Sequence, residues 1–293
     1  MHELHGVVTA TPTPFTTSGE VDEARFRELI RWFLTSGVHG ISVAGSQGEF
    51  YSLETAERLR LIEIAVEETD GRVPVYAGTG AVSTRDSVAL TRAAESIGAD
   101  VAMVITPYFV SPSPAELAEH FRQVAAATTL PVLLYNNPPR TGVTLVPADL
   151  SALGGNVVGV KDSGGDLTVA IEHMLNGALL FSGRDTITLA LLLHGAAGAI
   201  SPAACVFPRL LVRMYDEARA GRFEQARAIS DALAPLRRAW DLGSFPVVIK
   251  EAMALAGHDP GPARAPIAPL SPSGRAALAE VVERIQKIES ELL

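Results

Sequence analysis

Lys161 is one of three lysines in a chain of 293 residues, and it closes an apolar run, Val157-Val158-Gly159-Val160, that reads as a buried strand. The turn Asp162-Ser163-Gly164-Gly165-Asp166 follows at once. An amine at the C-terminal end of a buried parallel strand is poorly hydrated, which favours its neutral form. A neutral amine attacks carbonyl carbon, the first requirement of Schiff-base chemistry. The plainer role is a side chain that reaches from the strand end to solvent, so the neighbours decide. Tyr135 closes an earlier apolar run, Val132-Leu133-Leu134, and its phenol can relay a proton to an imine or alkoxide. A buried tyrosine that caps a carbonyl is the more ordinary case. The loop Ala44-Gly45-Ser46-Gln47-Gly48-Glu49-Phe50 offers glycines for close backbone approach, consecutive N–H groups and a serine hydroxyl, a set that can hold a small carboxylate. Arg140, on the turn Asn137-Pro138-Pro139-Arg140-Thr141-Gly142, is a fixed cation suited to a second carboxylate.

Taken singly, the loop reads as a turn and the arginine as a surface residue. Together with the lysine and the tyrosine they make one chemistry. Lys161 condenses with the ketone of a 2-oxo acid, the Ser46 loop holds its carboxylate, Tyr135 moves the proton, and the iminium serves as electron sink for an enamine. Placement of this kind can supply roughly 7–11 kcal/mol at best.

These residues need a frame that gathers strand ends. Short β-branched runs at 7–10, 40–43, 73–77, 101–105, 132–135, 157–161, 179–182 and 198–200 read as strands. Helical patterns fall between them at 23–36, 55–68, 83–97, 113–126, 147–153, 167–175, 186–194 and 207–220. The first carries Phe26, Leu29, Ile30 and Phe33 at helical spacing behind the cap Asp22, the second carries Leu59, Ile62 and Val66 behind Ser52, and the third Val88, Ala89, Ala93 and Ile97. Eight strand–helix units predict a (β/α)8 TIM barrel, whose chemistry collects where the strands end. A doubly wound sheet is the runner-up, but the first strand runs into Thr11-Pro12-Thr13-Pro14-Phe15, with no glycine-rich dinucleotide loop. The barrel is expected over residues 1–221. Residues 222–293 read as a small C-terminal helical appendage, with helices at 223–240, 245–256 and 271–293 and a proline-rich connector at 258–269.

Composition narrows the classes. The chain is 47% hydrophobic with a formal net charge of −9. Acidic and basic residues are interleaved, so no nucleic-acid surface is expected. The single cysteine, Cys205, excludes an internal disulfide, fits a reducing compartment, and reads as a small buried residue rather than a nucleophile. The seven histidines show no ligand spacing and none closes a strand, so neither a metal nor another cofactor is expected. The start of the chain lacks the pattern of a signal peptide and no apolar run reaches the roughly 18 residues of a membrane helix, so a soluble cytoplasmic protein is expected.

The motifs Thr106-Pro107-Tyr108, Tyr135-Asn136-Asn137-Pro138, Gly159-Val160-Lys161-Asp162-Ser163 and Ser182-Gly183-Arg184-Asp185 resemble those of the dihydrodipicolinate synthase / N-acetylneuraminate lyase family of Schiff-base aldolases. The likeness runs essentially end to end. It implies a barrel with a C-terminal helical part, a Schiff-base lysine at Lys161, an acid/base tyrosine at Tyr135 and no cofactor. It implies carboxylate binding by Gly45, Ser46 and Gln47, with Ile200 at the end of strand eight also beside the substrate. A homo-oligomer, tetramer or dimer, goes with it. The substrate expected is pyruvate or a small hydroxylated 2-oxo acid, cleaved or built at a C–C bond. The chain departs from the lysine-biosynthetic synthase pattern in carrying Ser46 and Gln47 where two threonines are usual. Phe109 stands where a second relay tyrosine is usual, and Cys205 where an asparagine is common. Synthase activity on pyruvate and aspartate semialdehyde, a 2-keto-3-deoxy sugar acid dehydratase, and a non-catalytic binding barrel are the alternative readings.

Overall fold

Strands buried on both faces must be near-continuously apolar, and runs such as Val101–Ile105 meet that condition. In the computed structural model, which describes residues 2–147, 153 and 155–292, eight such runs form parallel strands: β1 (Gly6–Ala10), β2 (Gly40–Val43), β3 (Val75–Gly78), β4 (Val101–Ile105), β5 (Val132–Asn136), β6 (Val157–Asp162), β7 (Leu179–Ser182) and β8 (Gly198–Ser201). Each pairs with the next, and β8 closes on β1. This is the (β/α)8 barrel the alternation predicts.

The surrounding helices are α1 (Glu23–Thr35), α2 (Thr55–Thr69), α3 (Thr84–Ile97), α4 (Pro114–Ala126), the single turn α5 (Pro138–Thr141), α6 (Leu167–Leu175), α7 (Thr188–Leu193) and α8 (Pro208–Arg219). The expected helix at 147–153 falls largely outside the described residues. Helix starts follow local chemistry: Asp22 accepts the Arg25 N–H, Ser83 accepts that of Asp86, and Ser113 and Glu116 form a reciprocal capping box. Ahead of α2 the cap is Glu54, paired with Glu57, rather than Ser52.

Two helix faces differ from the sequence reading. On α3 the buried residues are Ser87, Leu90, Thr91 and Ala94, and Ala89 is exposed. The polar pair can be buried because Ser87 bonds both backbone groups of Ala81, and Thr91 Oγ1 donates to Thr79 Oγ1 at 2.8 Å. On α2 the sealed face is Leu61, Ile62 and Ala65, with Leu59 and Val66 at its edge. Strand three begins at Val75, two residues later than the apolar run suggests, because Pro74 has no N–H to give to a ladder.

Beyond the barrel come α9 (Phe223–Arg238), α10 (Val247–Leu255) and α11 (Pro272–Leu292). Helix α9 packs on α8, and α11 packs on α9 and α10. Their connector is tied to the barrel by Arg264, which donates to the Gly19 and Ser52 carbonyls and forms a two-point ion pair with Glu57. No helix among the described residues is long and apolar enough to cross a membrane.

Candidate active site

Strand register brings the first two candidates together. Tyr135 on β5 and Lys161 on β6 are paired positions, so their side chains leave the sheet side by side. Lys161 Nζ lies 4.0 Å from the centre of the Tyr135 ring. Both side chains are almost sealed, at 4% and 5% exposure, and both line an open-mouthed cavity of about 630 Å³ at the C-terminal ends of the strands. Asn137 Nδ2 donates to the Tyr135 hydroxyl oxygen at 2.8 Å. That bond occupies an oxygen lone pair and leaves the phenolic proton to be given elsewhere. The strand ends are locked in turn. Asn136 Nδ2 donates to Asp162 Oδ1 at 2.6 Å, and the Ser163 and Gly183 N–H groups donate to the Asn136 and Asp162 carbonyls.

Ser46 and Gln47 lie in the wall of the same cavity. The Ser46 hydroxyl and the Ser46 and Gln47 N–H groups have no acceptor among the described residues, an arrangement able to receive an anion. The loop is strained at both ends, with Ala44 at φ +53° and Glu49 at φ +55°. Tight packing beneath it leaves no room for adjustment: a side-chain carbon on Gly78 would fall 2.1 Å from the Ala44 carbonyl oxygen. Arg58 is buried below, donating to the Gly78 and Gly80 carbonyls, and burial draws its pKa down to about 10. Gly45 faces a smaller hollow behind the loop, shared with Ser46 and Tyr135, and not the main cavity. Ile200 is fully buried on β8 and lines the cavity.

Arg140 is exposed at the rim, with its guanidinium 4.6 Å from the centre of the Phe245 ring. Phe109 does not reach the cavity of its own chain; its backbone is left-handed at φ +72° and its ring is 98% exposed. Cys205 is fully buried, its Sγ donating to the Ala10 carbonyl at 3.2 Å, and burial pushes the thiol up, away from the reactive thiolate.

The C-terminal region supplies a wall that sequence reasoning did not assign. Arg237, Trp240 and Phe245 all line the cavity, joined from the barrel by Ser163 and Arg184. Ser163 and Arg184 sit in the quoted motifs and were legible as strand-end residues. For Arg237, Trp240 and Phe245 no signal in the sequence points at the cavity. Gln47 fastens that wall, its Nε2 donating to the Pro246 carbonyl at 3.1 Å, while its Oε1 is buried without a partner. Glu49 fastens it again through Lys250 and the Arg264 N–H.

An amine beside a phenol, under an anion-accepting loop and an arginine rim, is equipped for imine formation and proton transfer at a 2-oxo acid. Comparison with known proteins agrees. Residues 3–285 match the Dihydrodipicolinate synthetase family. The 4-hydroxy-tetrahydrodipicolinate synthase of Methanopyrus kandleri is 40% identical over 272 residues, 90% of this chain and 91% of that protein. That of Methanothrix thermoacetophila is 37% identical over 99% of both. The structure of the chloride-inhibited dihydrodipicolinate synthase of Acinetobacter baumannii, complexed with pyruvate, superposes with a TM-score of 0.93 at 31% identity, covering 97% of this chain and 99% of that one. The barrel, the strand-end site and these likenesses agree: the chain belongs to the dihydrodipicolinate synthetase family and is a Schiff-base-forming lyase.

Proposed function

We propose that Lys161 forms the imine with pyruvate, or with the pyruvate half of a hydroxylated 2-oxo acid, and that Tyr135 carries its protons. The observation that supports this most is the Lys161 amine lying against the Tyr135 ring in the same cavity as Ser46 and Gln47. The amine adds to the C2 carbonyl, and water leaves the carbinolamine on protonation by the Tyr135 hydroxyl. The iminium draws electrons from C3, the Tyr135 phenoxide takes the departing C3 proton, and the enamine attacks an aldehyde carbon. Tyr135 gives a proton to the new alkoxide, and water then releases the product and the free lysine. Cleavage is the same sequence in reverse. The Ser46 loop holds the pyruvate carboxylate, with Gly45 shaping the loop from behind and Ile200 packing against the substrate. Arg140 meets a carboxylate on the acceptor.

Residues 222–293 act as an appendage that completes the wall of a barrel spanning 1–221. The exposed Phe109 ring is suited to lie against a second copy, in a dimer or tetramer, in the cytoplasm.

Incubation with pyruvate and borohydride, followed by intact mass and peptide mapping, tests the reading. A single reduced pyruvate adduct on Lys161, lost in Lys161→Ala with unchanged circular dichroism, is the expected result. Turnover retained in Lys161→Ala would overturn it, and a folded protein that traps no 2-oxo acid would point to a binding barrel. Relatives named as synthases at up to 40% identity favour one second reading, condensation with aspartate semialdehyde. A dehydratase would release water and no pyruvate.

A further inference from the structure

Three arginines line the cavity that holds Lys161: Arg140 after β5, Arg184 after β7 and Arg237 at the end of α9. None forms an ion pair with a carboxylate among the described residues. Two are held by aromatic faces instead, Arg140 by Phe245 at 4.6 Å and Arg237 by Trp240 at 3.9 Å, contacts that fix a cation without neutralising it. Arg184 lies along Gly165, where a side-chain carbon would come within 3.3 Å of its Nε. The neighbouring acids offset this charge only in part: Asp185, which accepts from Ser201 Oγ at 2.5 Å, and Asp241 both act on Arg237, but neither stands within ion-pair distance of it. Burial, and then the neighbouring Arg184, push Arg237 below the usual arginine value against the opposing pull of Asp185 and Asp241, with Arg140 adding a smaller push.

Resting on the imine reading above, we infer that Arg140, Arg184 and Arg237 form one distal subsite that accepts a substrate end carrying carboxylate and no ammonium group. Three cations without an ion-pair partner in a partly buried pocket attract an anion and oppose a further cation, and specificity is the difference between the two. Aspartate semialdehyde carries both charges at that end and would bring its ammonium group against the guanidiniums. An aldehyde or oxo acid whose distal end is purely anionic suits the pocket better.

Succinate and aspartate share a skeleton and differ only in the ammonium group, so they isolate the effect without requiring turnover. Titration of the whole enzyme with each, followed by calorimetry and by Trp240 fluorescence, should show succinate binding roughly tenfold tighter or more. Arg184→Gln and Arg237→Gln should each shrink that preference, with thermal melts confirming that both variants fold. Equal affinity, no succinate binding at millimolar concentration, or a preference unchanged in both variants would overturn the inference. Borohydride trapping with pyruvate is run on the same samples. Loss of the Lys161 adduct in the unsubstituted enzyme would remove the imine reading alone, because the succinate titration does not pass through it.

Discussion

Glu49 Oε1 lies 2.6 Å from Lys250 Nζ, and neither side chain reaches solvent. The carboxylate belongs to the strained loop after β2, and the amine to the first C-terminal helix beyond Pro246, so one buried charge pair joins the Ser46 loop to the C-terminal helices. Lys250 Nζ also donates to the Pro262 carbonyl at 2.7 Å, and Glu49 Oε2 accepts the Arg264 N–H at 3.0 Å. Removing one partner strands the other charge without water. Lys250→Met should therefore cost about 3–5 kcal/mol of unfolding free energy, and adding Glu49→Gln should recover part of it. Urea melts of the two single variants and the double variant measure this; additive losses would show that the pair is not coupled.

Tyr135→Phe keeps the ring that packs against Lys161 and removes only the hydroxyl. A fall in kcat of about 10²-fold or more is expected. Asn137→Ala should lower kcat less, because it orients the phenol without transferring the proton. An unchanged kcat in Tyr135→Phe would take the proton relay away from this residue.

His120 is buried on α4, its Nδ1 3.0 Å from Thr84 Oγ1 and its Nε2 without a partner among the described residues. Burial draws its pKa from 6.5 to about 4. Between those values the unfolded chain binds more protons at this position than the native one, so stability rises with pH across that window and is lost on acidification through it. The contribution is on the order of 3 kcal/mol between pH 7 and 4. Chemical melts across this range should be visibly flatter in His120→Gln, and identical slopes would rule the imidazole out as their source.

Gly78→Ala places a methyl group 2.1 Å from the Ala44 carbonyl oxygen. The loop cannot give way easily, since Arg58 holds the Gly78 carbonyl from below at 2.6 Å. A loss of about 1–3 kcal/mol is expected from the overpacking, together with a raised KM for pyruvate. Saturation curves and melting temperatures report the two effects separately.

The pairing of Lys161 with Tyr135 was legible because strand register does the positioning. Val132-Leu133-Leu134 and Val157-Val158-Gly159-Val160 each read as a strand, and a residue ending each strand meets its neighbour at one end of the barrel. The burial of Ser87 and Thr91 was not legible in the sequence, for a physical reason. Side-chain hydrogen bonds to Ala81 and Thr79 make their burial acceptable, and a hydrophobic pattern carries no trace of such partners. Arg237, Trp240 and Phe245 stayed hidden because their place depends on how a distant helical segment docks. The contacts that settle the docking, such as Gln47 with Pro246, join positions with no periodic relation.

That docking divides the labour of the site. Lys161 and Tyr135, the residues proposed to make the imine and move its protons, hang from β6 and β5 and are indexed by the barrel ladder. Part of the cavity wall, including Arg237 of the proposed distal subsite, hangs from the C-terminal helices, attached through Gln47, Glu49 and Arg264. On the proposed assignment, substitutions after α8 retune which partner is taken while the Lys161 nitrogen stays where the ladder sets it, so that within one chain the choice of acceptor drifts independently of the bond chemistry.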